Sequence, residues 1–179
     1  MPINILIVIA TIVVVFVIIV GIRPADFRVA RSAAISAPAA IVFAQVNDLH
    51  KWEAWSPWAK LDPAARNTFE GPTAGTGAIF SWSGNNKVGE GRMTITESRP
   101  SSLIGIKLKF LRPFKATNTA EFTFQTEGDQ TVVTWSMAGR NNFMTKAFGL
   151  FVNCDKMIGG DFEKGLAGLK SLAETTARQ

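Results

Sequence analysis

TKAFGLFVNCDKMIGGDFEKGLAGLKSLA, residues 145–173, is the stretch around which the rest of the chain is organised. Its apolar residues fall at Phe148, Phe151/Val152, Ile158, Phe162, Leu166, Leu169 and Leu172. Those steps of three and four predict one long amphipathic C-terminal helix. Lys146, Lys156, Glu163, Lys164, Lys170 and Glu174 mostly avoid the apolar stripe. Gly149, Gly159, Gly160, Gly165 and Gly168 lie within it, each costing about 1 kcal/mol against alanine. So many glycines imply either close approach to another backbone or room for something that is not protein.

The partner of that helix is legible upstream. From Ala78 the period becomes two: Phe80 and Trp82, then Met93 and Ile95, then Ile104, Ile106, Leu108 and Phe110, then Ala120, Phe122 and Phe124, then Val133, Trp135 and Met137 alternate with polar or small residues. Arg99-Pro100, Arg112-Pro113 and Glu127-Gly-Asp-Gln130 break the runs. This is a meandering antiparallel sheet with one wet face, whose dry face requires the C-terminal helix as cover. The dry face is rich in aromatics and methionine, and Phe143, Met144, Phe148, Phe151 and Phe162 lie on or near the helix. Such residues line apolar ligand sites and also build ordinary cores, so composition leaves both open.

Before the sheet, Phe27 to Ser36 reads as a first strand, ended by Ala37-Pro38. Pro38 suits the first turn of a short helix whose apolar face is Ile41, Val42, Phe43 and Val46. Trp52, Trp55 and Trp58 recur at steps of three and fall roughly on one side of a helical turn, as a plug at one end of the sheet or as the rim of a pocket. His50 and Glu53 are spaced as an acid–base pair without an identifiable third partner. Asn67 to Glu70 reads as a short strand. Gly71-Pro-Thr-Ala-Gly-Thr-Gly77 lacks the Lys-Ser/Thr ending of a phosphate loop and reads as a turn.

Ile3 to Ile22 is a run of 20 residues without a charge. As a helix it spans about 30 Å, the thickness of bilayer hydrocarbon. Sixteen of its positions are Ile, Leu, Val or Phe, which favours insertion by about 5–10 kcal/mol. No Lys or Arg precedes it, it is long for a signal peptide, and Val20-Gly21-Ile22 is a poor cleavage site. The reading is a retained anchor over residues 1–22 and one domain over 23–179. Arg23, Arg28 and Arg31 follow the span against Asp26 alone, which places the domain in the cytoplasm, on a bacterial inner membrane.

The chain has 179 residues and a net charge of +5. Its basic residues are dispersed, which gives nucleic-acid binding no support. With one cysteine, Cys154, and one histidine, His50, it can form neither an intramolecular disulfide nor a multi-histidine or cysteine-rich metal site. No metal or cofactor is expected, and Cys154 reads as a small buried residue.

Several local patterns together resemble a known family. Phe27-Arg-Val-Ala-Arg-Ser with Ile35-Ser-Ala-Pro38, Val42-Phe43, Trp52-x-x-Trp55-Ser-Pro-Trp58 with Asp62, Gly75-x-Gly77-Ala78 with Trp82, Gly89-x-Gly91-x-Met93-x-Ile95, and Asp161-Phe-Glu-Lys-Gly165-Leu166-x-x-Leu169-Lys170 resemble the polyketide cyclase/dehydrase-like branch of the START-like (SRPBCC) superfamily. The resemblance runs from about Phe27 to Glu174. It implies an α+β helix-grip fold, a six- to seven-stranded antiparallel sheet wrapped on the long C-terminal helix. It also implies an apolar ligand between sheet and helix, and it transfers no catalytic residue.

Three functions follow as expectations. The first is a membrane-tethered binding protein for a hydrophobic small molecule or lipid, with a pocket lined by Phe80, Trp82, Met93, Ile106, Leu108, Phe122, Phe124, Trp135 and Phe151. The second is a cyclase- or dehydratase-type enzyme on an apolar or aromatic substrate, which needs an inward-facing acid or base. Asn118 has inward parity, and Asp155, between Phe151 and Ile158, is the candidate catalytic residue. Its alternative is a helix-edge carboxylate that reaches solvent or pairs with a basic residue such as Arg140 or Lys156. The third is an interaction module with a filled core.

Overall fold

The structure is a computed structural model and describes residues 3–179. An apolar helix α1 (Ile3–Ile22) leads into strand β1 (Asp26–Ile35). Pro38 then starts α2 (Ala39–Asn47), and a single 3₁₀ turn runs into the short helix α3 (Trp52–Trp55). Six strands follow: β2 (Arg66–Glu70), β3 (Ile79–Ser83), β4 (Glu90–Arg99), β5 (Leu103–Arg112), β6 (Ala116–Glu127) and β7 (Gln130–Arg140). Two helices, α4 (Phe143–Phe148) and α5 (Cys154–Thr176), close the chain. The expected first strand, the strand near residue 67 and the five alternating runs are all present.

The seven strands form one antiparallel sheet in the order β1-β7-β6-β5-β4-β3-β2. Hairpins join β2 through β7 in sequence, and β1 pairs with β7 along its whole length, from Asp26↔Arg140 to Ile35↔Thr131. The alternation puts apolar side chains inward and polar ones outward, as the period of two requires.

The register divides the inner face along the strands. One row crosses six strands as Phe27, Gly139, Asn118, Leu108, Met93 and Phe80. It lies one residue from the strand ends Asp26 and Arg140, and so beside the chain leaving α1. We call this end proximal. At the distal end the rows run through Trp135, Phe122 and Ile104, then Val133 and Phe124. Helix α5 lies along β1, with Asp155 near Arg31 and Glu174 at Ser36.

One expectation is corrected here. Residues 145–173 are not one helix. α4 ends at Gly149, whose N–H returns to the Thr145 carbonyl at 3.0 Å. α5 restarts at Asn153, whose side chain accepts from the Lys156 N–H at 2.9 Å. Asn142 caps α4 likewise, on the Thr145 N–H. Asparagine at such positions satisfies amides that a helix start leaves free. The consequence is spatial. A continuous helix would extend past Arg31 over Val29 and Phe27. The break instead turns α4 off the sheet and against α1, where Val20 is fully buried.

Candidate functional site

The distal half of the space between sheet and helix is filled. Trp135 stacks on Phe162 at 4.1 Å and on Phe122 at 4.8 Å between ring centres. Trp52, Trp55 and Trp58 meet Trp135 edge-on at 5.7–6.1 Å. Stacked and edge-to-face geometries are the favourable ones for aromatic pairs. The indole N–H groups of Trp52 and Trp55 donate to the Val46 and Gln45 carbonyls, so neither is orphaned by burial. The three tryptophans form the plug. The helix glycines serve close packing: a Cβ on Gly165 would stand 2.7 Å from the Trp135 ring, and one on Gly168 2.8 Å from the Trp55 carbonyl oxygen. Of the expected lining residues, Ile106, Phe122, Phe124 and Trp135 belong to this packed core.

The proximal half is different. Phe27, Phe80, Trp82, Leu108 and Phe110 are half-buried, with Met93 and Asn118 buried among them. The Trp82 ring lies over Gly91, where any side chain would collide with it, and its N–H is used by the Val88 carbonyl at 3.0 Å. Phe27 and Asn118 fold over Gly139 in the same way. Asn118 puts an amide on an apolar floor. Its Nδ2 donates to the Met137 Sδ at 3.7 Å, a weak acceptor. The amide therefore keeps unspent hydrogen-bonding capacity. Asn118, read from the sequence as inward-facing, does face inward here, and Phe27, which was not singled out for the pocket, shares its row.

Asp155 does not enter this region. Its carboxylate accepts from the Arg31 Nη2 at 3.0 Å, and its side chain is 61% exposed. Arg31 also donates from Nε to Glu163 at 2.8 Å. The hydrogen bond from Arg31, reinforced by its charge, holds the Asp155 carboxyl below the usual carboxylate range and pushes the arginine further up. The pair is a strap between β1 and α5, threaded under Gly159, where a Cβ would strike the guanidinium. The partner is Arg31 rather than Arg140 or Lys156. At the other end of α5, the Ser36 backbone N–H bonds Glu174 at 2.8 Å and lowers its carboxyl likewise.

His50 pairs with Asp48 at 3.0 Å and stacks on Phe69; it does not engage Glu53. Cys154 is half-buried at the start of α5, its Sγ 3.7 Å from the Val152 carbonyl oxygen, instead of fully buried. Among the described residues, no three His, Cys, Asp or Glu side chains gather to hold a metal ion. Phe151 is also corrected: it is 80% exposed and lies off the sheet. It lines an open cleft of about 570 Å³ between the end of α1 and the α4–α5 connection, with Arg23, Lys146 and Asn153.

The pattern of a family described as "Polyketide cyclase / dehydrase and lipid transport" matches residues 26–174. No curated protein matches the chain. Solved structures match the fold at low identity. A protein from Chromobacterium violaceum is 14% identical with a TM-score of 0.59, over 85% of this chain and 99% of its own. A protein from Mesorhizobium loti is 16% identical with a TM-score of 0.60, over 84% and 98%. The di-domain ARO/CYC StfQ from the steffimycin biosynthetic pathway is 12% identical with a TM-score of 0.62, over 87% of this chain and 53% of that one.

Proposed function

Because the chain belongs to the polyketide cyclase/dehydrase and lipid-transport family, we propose that it is a membrane-tethered binding protein that takes a hydrophobic small molecule or lipid on the proximal half of its inner sheet face. α1 is long and apolar enough to cross a membrane and serves as the tether, with the domain on the cytoplasmic face of a bacterial inner membrane. One observation carries the reading. Phe27, Leu108, Phe80, Trp82 and Phe110 are only partly buried at the end of the sheet from which α1 leaves. Apolar surface left partly in water is stabilised by an apolar guest, and a guest partitioned into the bilayer arrives at this end first.

The Asn118 amide gives the guest a polar requirement. A carbonyl or hydroxyl at one end of the ligand would bond it better than the Met137 sulfur does. The same residue favours binding over acid–base chemistry, because an amide does not titrate and Asp155 is committed to Arg31.

The test uses the full chain, extracted in mild detergent and analysed by native mass spectrometry before its bound molecules are released and identified. We expect an apolar molecule near one-to-one that Leu108→Arg expels while the fold persists. A wild-type chain that emerges empty and ignores fatty acids, sterols and polyaromatics overturns the proposal.

A further inference from the structure

We infer that the domain rests on an anionic bilayer through two apolar tips, the β5–β6 turn and α4, each flanked by basic residues. The inference rests on reading α1 as a membrane span, and it fixes how the open half of the sheet meets the lipid. The β5–β6 turn reads Leu111-Arg-Pro-Phe-Lys115, and the pairings Glu90↔Arg112 and Phe110↔Ala116 put it at the proximal end. Phe114 is 75% exposed there, and Leu111 is exposed beside it. On α4 and its connection, Phe143, Met144, Phe148 and Phe151 are exposed as well. α4 is held at the foot of α1: the Lys146 Nζ donates to the Gly21 carbonyl at 3.3 Å, and the Arg23 Nη1 to the Gly149 carbonyl at 3.2 Å.

The two ends of the sheet differ in kind. Among the described residues, the distal turns at 36–38, 100–102 and 128–129 expose no large apolar side chain. The β6–β7 turn carries Glu127 and Asp129. The proximal end exposes the six apolar residues named above, with Arg23, Lys87, Lys115 and Lys146 at the same end; Arg112 there pairs with Glu90, and Asp26 and Asp62 are the other acids. Phenylalanine between lysine and arginine is the chemistry of a surface that seats at lipid headgroups: rings enter the acyl boundary, and cations meet the negative leaflet. A chain anchored by α1 has that surface within reach at every moment.

The experiment places the full chain in lipid nanodiscs containing phosphatidylglycerol with brominated acyl chains. An environment-sensitive fluorophore is attached at Phe114→Cys in a Cys154→Ser background, a second at Phe148→Cys, and a control at Asp129→Cys. The labels at 114 and 148 are expected to lose most of their emission to the bromines, and the label at 129 to keep its own. Replacing the anionic lipid with phosphatidylcholine that carries the same brominated chains is expected to restore part of the emission. Labels at 114 and 148 as bright as that at 129 overturn the docking, and so does a chain that fails to enter the discs. Native mass spectrometry on the same samples separates this from the ligand reading. Bright proximal labels with a bound ligand sink the docking alone, and quenched labels on an empty protein sink the ligand reading alone.

Discussion

On β5, Ile106 is fully buried, while Leu108, two residues further along the same face, is half-exposed. Their strand and orientation are the same, and they differ by one carbon in branching. The difference lies in the roof. Around Ile106 the inner face is closed by the tryptophan plug packed on Phe122 and Trp135, while Leu108 sits one row nearer the proximal end with Met93 and Asn118; α5 itself lies along β1. Side-chain type sets which face of the sheet a residue takes, but cover decides how deeply that residue is buried.

The largest effect should come from the closed half. Trp135→Ala removes the ring on which five other aromatics converge, and should cost about 3–5 kcal/mol in denaturant unfolding of the full chain. A loss below about 1 kcal/mol would show that the plug is not the core. The direct comparison is next. Ile106→Ala should cost about 2–5 kcal/mol, and Leu108→Ala about 1 kcal/mol or less. Equal costs would break the distinction between the two halves.

Smaller effects sharpen it. Gly165→Ala drives a methyl into Trp135 and should destabilise by about 1–2 kcal/mol. Gly160→Ala, on the same helix with nothing within 4 Å, should stabilise by about 1 kcal/mol. Opposite signs by thermal unfolding are the check. The strap should give a modest acid dependence. Asp155 and Glu174 titrate below their ordinary values in the folded chain, so each contributes stability above the unfolded carboxylate range. That contribution is lost as pH falls from the ordinary carboxylate range through the lower values the folded carboxyls hold. Arg31→Met removes the cause for Asp155 and should flatten the acid limb; an unchanged limb would contradict the strap.

The sheet was legible because a half-buried strand writes its face directly into alternating residues, and Phe80/Trp82, Met93/Ile95 and Val133/Trp135 obey that code. The break in the last helix was harder. The apolar steps through Phe148, Phe151 and Val152 continue the helical period, so periodicity alone carries the helix across Gly149 and Asn153. The caps were in the sequence at Asn142 and Asn153, but an asparagine inside a periodic stripe is a weaker signal than the stripe. Arg31 was read for its charge near the span. Its inward parity opposite Trp135 emerges from the register, as does the reason for Gly159. Parity likewise placed Leu108 and Ile106 together, because it reports the face and not the position of the cover along the strand.

The most direct measurement is photo-crosslinking of the full chain in membranes with a diazirine-bearing fatty acid, followed by peptide mapping. A ligand seated on the proximal floor should label the segments around Phe80–Trp82, Leu108–Phe110 and Asn118, and leave the Trp135 and Phe162 segments unmarked. Adducts confined to α1, or spread along the distal strands, would contradict the division of the inner face into a closed core and an open site.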